Sequence, residues 1–182
     1  MARVNKRHDI LEAIVAIIER DGLTAVTLDA VAAETGMTRA GLLYHFPSRE
    51  ALIRATHDHL TQEWERALAE HSGKPANEIS EFERYSAYVH VCVNAARRVE
   101  LILMLEGDRG SDQGNVWQHV LDRWAPPAPN SEDIEGIDMF IARLAADGLW
   151  MHEAISDQSL SKELKNNVIK RLAYLLKTDL GN

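Results

Sequence analysis

Gly36 lies between two short amphipathic segments and restricts the fold of this chain more than any other single residue. It lies in the segment 23–53, which reads LTAVTLDAVAAETGMTRAGLLYHFPSREALI. Thr35-Gly36-Met37-Thr38 is predicted to be a turn, because glycine adopts the left-handed conformation at low cost. Leu42 follows six residues after the glycine, where it can pack back on the first segment. The pattern is typical of a helix-turn-helix, whose second helix is shaped to enter a DNA major groove.

Three further stretches surround this turn in a specific arrangement. They are TLDAVA at 27–32, GLLYHF at 41–46 and SREALI at 48–53. Together with Gly36 they resemble the N-terminal DNA-binding domain of TetR-family transcriptional regulators. The resemblance covers roughly residues 8 to 54. Two positions depart mildly from the family pattern, since Arg49 stands where lysine is more common and Leu43 where tyrosine is common.

Apolar residues recur at helical spacing along most of the chain, and no segment alternates as a strand would. We therefore expect an all-α fold of about nine helices. A helix-turn-helix domain should occupy residues 1–48, and a ligand-binding and dimerisation domain residues 49–182. A fourth helix, at about 48–72, connects the two parts. Helix 8 is expected to start at 131–133, and helix 5 at about Glu78.

The charge of the chain is unevenly distributed. Residues 1–50 carry six Lys/Arg and seven Asp/Glu, a net charge of −1, so residues 51–182 carry 14 and 21, a net charge of −7. Acidic residues are thus concentrated outside the expected DNA-binding domain, where they repel DNA from the wrong face. The single cysteine, Cys92, and the absence of a long uncharged apolar run suggest a cytoplasmic protein with no membrane segment and no signal peptide.

The DNA-reading surface is predicted on the third helix and beside it. Arginine pairs bidentately with guanine, and threonine contacts bases or a thymine methyl group. Residues expected to reach base edges are Thr38, Arg39, Ala40, Gly41 and Leu43. The resemblance implies that Tyr44 and His45 contact phosphates. Thr27, Ser48 and Arg49 are expected to hold phosphates beside them.

A small-molecule pocket is predicted in the C-terminal part, mainly because members of the resembled family carry one there. Pockets are usually apolar, with a few polar groups. The alternative is that these residues are simply core. The candidate lining residues are Tyr85, Tyr88, Val89, Cys92, Met104, Leu105, Trp117, Leu121, Phe140, Leu144, Asp147, Trp150 and Met151.

Helices 8 and 9 are predicted to form a dimer interface, because their apolar residues repeat at three and four. Two such helices from each of two subunits would make a four-helix bundle. Packing within one chain is the alternative. The candidate interface residues are Ile137, Ile141, Ala145, Gly148, His152, Leu164, Val168 and Leu172.

These features predict a homodimeric transcriptional repressor that binds a palindromic double-stranded DNA operator and is released by a small, mostly apolar effector. The alternative is an effector-independent DNA-binding factor or a helical protein-interaction factor. We expect neither an enzyme nor a cofactor, because no paired catalytic groups stand out. We expect no metal either, since His59 and Glu63 alone supply too few ligands.

Overall fold

Helices account for most of the chain in the computed structural model, which describes residues 6–106, 112–130, 132–156 and 159–177. These residues form nine α-helices and two one-turn 3-10 helices, at Leu23–Ala25 and Ala76–Glu78, and they contain no strand. The predicted all-α fold is therefore confirmed. The helices are α1 (Lys6–Asp21), α2 (Leu28–Thr35), α3 (Arg39–His45), α4 (Arg49–Ser72), α5 (Glu81–Asn94), α6 (Arg98–Glu106), α7 (Asp112–Trp124), α8 (Ile134–Ile155) and α9 (Lys162–Lys177).

The ends of the first four helices follow from local side-chain chemistry. Thr27, Thr38 and Ser48 each accept a hydrogen bond from the backbone N–H three residues later, which caps α2, α3 and α4. Gly36 ends α2 with φ of 65°, in the left-handed region. The turn between α2 and α3 is thus held at both ends by the residues that the sequence pattern singled out.

The later helices differ from the expected bounds where a cap fixes the end. Helix α5 begins at Glu81, because Ser80 and Glu83 exchange hydrogen bonds in a capping box. Helix α8 begins at Ile134, where the side chain of Asp133 accepts from the N–H of Gly136 at 2.9 Å. Ser131, part of the expected start of α8, lies outside the described residues.

The N-terminal three helices enclose a small apolar core, which we call the head core. Four isoleucines on one side of α1 are buried there, and α1 contacts α2 and α4. Val31 of α2, Leu42 of α3 and Leu52 of α4 are also fully buried. This packing turns the opposite side of α3 towards solvent.

The C-terminal helices form a second core around α5, which contacts α4, α7, α8 and α9. All four tryptophans are buried there, and the rings of Trp64 and Trp150 lie 5.1 Å apart. Helix α1 also contacts α6, so the head core meets the C-terminal core away from α4 as well. Within the described residues, no helix combines the length and apolarity needed to cross a membrane.

Candidate DNA-binding surface and effector site

The outer face of α3 is open to solvent. Arg39, Ala40 and Leu43 are exposed, and Tyr44 is 86% exposed. The half-buried ring of His45 meets the Tyr44 ring edge-on, with 5.3 Å between ring centres. Tyr44 therefore presents its hydroxyl group outward, as a phosphate-binding side chain requires.

Asp29, which the sequence pattern did not single out, holds the side chain of Arg39, the main candidate for reading bases. Nη1 of Arg39 lies 2.7 Å from both carboxylate oxygens of Asp29, on α2. Both side chains are largely exposed, so the pair contributes little to stability. It does orient the guanidinium across the α2–α3 turn, and a nucleic acid would have to share or replace Asp29 as its partner.

The side chain of Arg49 makes contacts within the protein that the neighbouring residues in the sequence did not indicate. Its Nε donates to the carbonyl oxygen of Val26 at 2.7 Å, and its Nη2 donates to that of Leu23 at 3.0 Å. The side chain thus ties the start of α4 to the residues before α2. Its predicted phosphate contact remains a prediction, but its structural role is clear.

Two hydroxyl groups beside α3 can serve both the protein and a phosphate. The side-chain oxygens of Thr27 and Ser48 accept backbone N–H groups at 3.0 and 3.2 Å. The Thr27 hydroxyl retains its own proton, which a phosphate oxygen can accept, whereas the Ser48 hydroxyl shares its proton with the Glu50 carboxylate, which a phosphate would have to replace. Backbone and Ser48 hydrogen bonds lower the pKa of Glu50, so a negative charge stands beside that helix start.

Six of the predicted pocket residues are buried in the C-terminal core, namely Tyr85, Tyr88, Val89, Cys92, Trp117 and Trp150. Their polar atoms have partners. The Tyr88 hydroxyl donates to Asp147 at 2.6 Å, and the Trp150 indole donates to the carbonyl oxygen of Arg97 at 2.9 Å. Burial raises the pKa of Tyr88 and of Cys92. This part of the site is a packed polar network, in which Asp147 also pairs with Arg143 at 3.5 Å.

Buried His57 forms a further polar pair in the same core. Its Nδ1 accepts the indole N–H of Trp117 at 2.9 Å, and burial lowers its pKa. A neutral imidazole is required for this geometry, because a protonated ring has no acceptor. His57 is thus a core histidine, which the sequence pattern did not indicate.

Three predicted pocket residues are corrected by the structure. Leu105 is 83% exposed, and Leu144 and Met151 are also exposed. They do not line a cavity inside this chain, because their side chains lie on outward faces of α6 and α8. The remaining four candidates, Met104, Leu121, Phe140 and Asp147, are half-buried.

Comparison with known proteins agrees with this architecture. A family model described as "Bacterial regulatory proteins, tetR family" matches residues 10–56, and one described as "Tetracyclin repressor-like, C-terminal domain" matches residues 83–177. The second match alone spans more than half of the chain. The chain belongs to the TetR family. It is accordingly a DNA-binding transcription regulator and not an enzyme.

Solved structures of TetR-family proteins and related regulators share the fold over nearly the whole chain. AibR, in complex with isovaleryl coenzyme A and operator DNA, is 18% identical with a TM-score of 0.66, over 94% of this chain and 98% of that one. A TetR-like regulator from Rhodococcus sp. RHA1 is 16% identical with a TM-score of 0.63, over 97% and 96%. The multidrug binding protein EbrR, complexed with malachite green, is 19% identical with a TM-score of 0.61, over 92% and 98%. No curated protein matches significantly.

In this TetR-family chain a cleft of about 340 Å³ opens between α4, α5 and α6. Trp64 lines it, with Ala67, Val91 and Ala95 as apolar neighbours. Its charged lining comprises Glu63, Glu70 and Glu100 together with Arg66 and Arg97. The cleft therefore combines an indole surface with a small excess of acid.

Glu100 is the unusual group in this cleft. It is only 2% exposed, and burial raises its pKa to about 7, although Arg97 opposes the shift with its backbone N–H and its guanidinium. The buried indole N–H of Trp64 also faces this carboxyl group and slightly opposes the rise in the pKa of Glu100. It makes no hydrogen bond of ordinary geometry. The negative charge of Glu100 is thus poorly compensated.

An apolar stripe on α8 is left uncovered by the rest of the described TetR-family chain. Its large exposed side chains are spaced by seven, three, seven and four residues, which places them on one side of the helix, and no atom lies within 4 Å of a Cβ added to Gly148. We call this set the α8 stripe: Ile134, Ile141, Leu144, Gly148, Met151 and Ile155. Ile137 beside it is half-buried, whereas Ala145 and His152 on α8 are exposed, as is Leu164 on α9. Leu172 is corrected: it is 5% exposed, in the core of its own chain, and half-buried Val168 packs against that core.

Proposed function

We propose that this TetR-family regulator is a homodimeric repressor that binds a palindromic operator and is released by a small effector. The uncovered α8 stripe carries the proposal. A continuous apolar stripe of this kind marks an interaction surface, since water-exposed apolar area is otherwise unfavourable. A second copy is the occupant that DNA reading requires, because two reading helices must meet half-sites about 34–36 Å apart.

The roles proposed for the reading surface follow from exposure and hydrogen-bonding capacity. Arg39 reads a base edge after exchanging Asp29 for guanine, and Thr38, Ala40, Gly41 and Leu43 shape the fit around it. Phosphates are contacted by Tyr44, His45, Thr27 and Ser48, with Arg49 holding the adjacent backbone in place.

Arg39→Ala and Tyr44→Phe should therefore affect DNA binding differently. With operators selected from randomised duplexes, Arg39→Ala should relax preference at one or two base pairs, at a cost of about 1–3 kcal/mol. Tyr44→Phe should weaken binding to all sequences alike. Titration of the duplexes by fluorescence anisotropy at two salt concentrations measures both effects, with the exposed Arg98→Ala on α6 as the matched control. Unchanged sequence preference in Arg39→Ala would contradict the assigned base-reading role.

A charge placed on the α8 stripe should separate the subunits. Leu144→Glu buries an unpaired carboxylate in the proposed interface, so sedimentation equilibrium should show monomers that no longer bind the full palindrome tightly. Leu105→Glu is the control, because that leucine is the same residue type and is also exposed but lies on α6. Circular dichroism establishes that both variants are folded. A folded Leu144→Glu protein that remains dimeric at low micromolar concentration would exclude this interface.

The effector is proposed to bind in the cleft beside Trp64 and to carry both an aromatic surface and a positive charge. The apolar lining of the cleft suits an aromatic surface, and ionised Glu100 supplies a buried negative charge that attracts a cation. The complexes of EbrR with malachite green and of AibR with isovaleryl coenzyme A support the proposal of a small-molecule effector. Binding would shift α4, which lines the cleft and continues from the head, and move the heads out of register.

Tetraphenylphosphonium, an aromatic cation whose charge does not titrate, is a suitable probe for this cleft. It should quench tryptophan emission and release operator DNA at the same concentrations. Its affinity should rise as the pH increases through about 7, because Glu100 loses its proton there and gains the charge that attracts the cation. Glu100→Gln should remove that pH dependence, whereas Glu106→Gln, exposed at the end of the same helix, should retain it.

Two results would contradict the effector proposal. One is an affinity for the probe that does not change with pH or with Glu100→Gln. The other is binding that leaves operator affinity unchanged, since linkage requires reciprocal effects between the two sites. The first result would exclude the cleft beside Glu100 as the effector site, and the second would favour an effector-independent DNA-binding protein.

A further inference from the structure

Three potential metal ligands from distant parts of the sequence converge between α1 and α4. His8 and Glu12 lie four residues apart on one face of α1, and His59 lies opposite them on α4. One ligand atom from each of the three residues lies within 4.8 Å of the other two. The two imidazole rings meet edge-on, with 5.3 Å between their centres. This cluster is separate from both the reading face of α3 and the cleft beside Trp64.

The chemistry of the three groups suits a transition metal. Two imidazole nitrogens and one carboxylate oxygen are a ligand set that binds Zn²⁺, with a fourth position left for water. Bonds of about 2.0–2.1 Å place tetrahedral ligand atoms roughly 3.3 Å apart. His8 is exposed and the Glu12 side chain is 42% exposed, so both can rotate towards a common ion without displacing the core.

The third ligand is held by its surroundings. The His59 side chain is 11% exposed, and its Nε2 lies 2.6 Å from Oε1 of Glu12 and 3.7 Å from Oε1 of Glu63. Glu12 therefore supplies the negative charge beside this imidazole nitrogen, whereas Glu63 is already paired with Arg97 at 3.0 Å and lies 4.0 Å from Arg66. Water can take the fourth position, and the nearby Oε1 of Glu63 can accept a hydrogen bond from that water.

The adjoining groove has a volume of about 360 Å³ and is also lined by two arginines. The guanidinium of Arg7 lies over the ring of Phe46, 4.4 Å from its centre, and Arg66 lies 4.0 Å from Glu63. Both cations thus have partners outside the three-ligand cluster, while Asp58 adds a further acidic group to the groove. Neither arginine therefore occupies the position between His8, Glu12 and His59.

We propose that His8, Glu12 and His59 form a Zn²⁺-binding site that fastens α1 to α4. An ion shared by these helices would cross-link the first helix of the head to the helix that continues into the C-terminal core. It would thereby stabilise the head and restrict its movement relative to α4.

Metal titration of the full-length protein, freed of metal with a chelator, tests this site without DNA. Calorimetry should show one Zn²⁺ per chain, and Co²⁺ as a spectroscopic probe should give the absorption of a four- or five-coordinate ion that Zn²⁺ displaces. His8→Ala and His59→Ala should each weaken Zn²⁺ binding by at least about tenfold, since even outer-shell changes cost about 10–100-fold. His119→Ala, an exposed histidine on α7, should bind as the unaltered chain does. Zn²⁺ should also raise the thermal midpoint of the unaltered chain but not of His8→Ala.

His8→Ala is the decisive variant, because His8 is exposed and its loss leaves the folded core intact. The proposal is overturned if Zn²⁺ does not bind, or if its affinity is unchanged in His8→Ala. It is also overturned if binding is lost instead in His71→Ala, since the stacked rings of His71 and His90 are a second imidazole pair. None of these results depends on operator or effector binding, so the repressor proposal stands or fails separately.

Discussion

Burial along α4 is the interaction on which both halves of the molecule depend. Leu52, near its start, is fully buried in the head core, whereas Leu60, Trp64 and Leu68 are buried in the C-terminal core. The helix has 24 residues, and a rise of about 1.5 Å per residue makes it about 36 Å long. Neither core is complete without its part of this helix. A shift of α4 in one half must therefore strain the packing in the other half.

The N-terminal part was predictable because its structure depends on local rules. Caps at Thr27, Thr38 and Ser48, and the left-handed Gly36, involve neighbours only three or four residues away, which the sequence displays directly. The partners of Arg49 lie 23 and 26 residues earlier and are backbone carbonyls. No pattern of residue types marks such contacts, so the structural role of Arg49 required the fold.

The C-terminal part shows why helical periodicity alone could not divide core from interface. Helix α8 is apolar on more than one side, and small Ala142 and Ala146 are fully buried while Leu144 and Met151 are exposed. Small residues let α8 approach α5 closely, so the large apolar residues are left for another surface. The family resemblance placed Leu144 and Met151 in a pocket, and spacing at three and four placed buried Leu172 in the interface, because periodicity does not tell which apolar side packs within the chain.

We expect α4 to link the head and the C-terminal core into one mechanical unit. Native-state hydrogen exchange of the backbone amides from Leu52 to Leu68 tests this most directly, because it measures the free energy of opening at each position. A rigid shared helix predicts that the two halves of α4 open together, with similar free energies and similar responses to denaturant. A break in the middle of the helix, with the half near Leu52 opening independently of the half near Trp64, would contradict the claim.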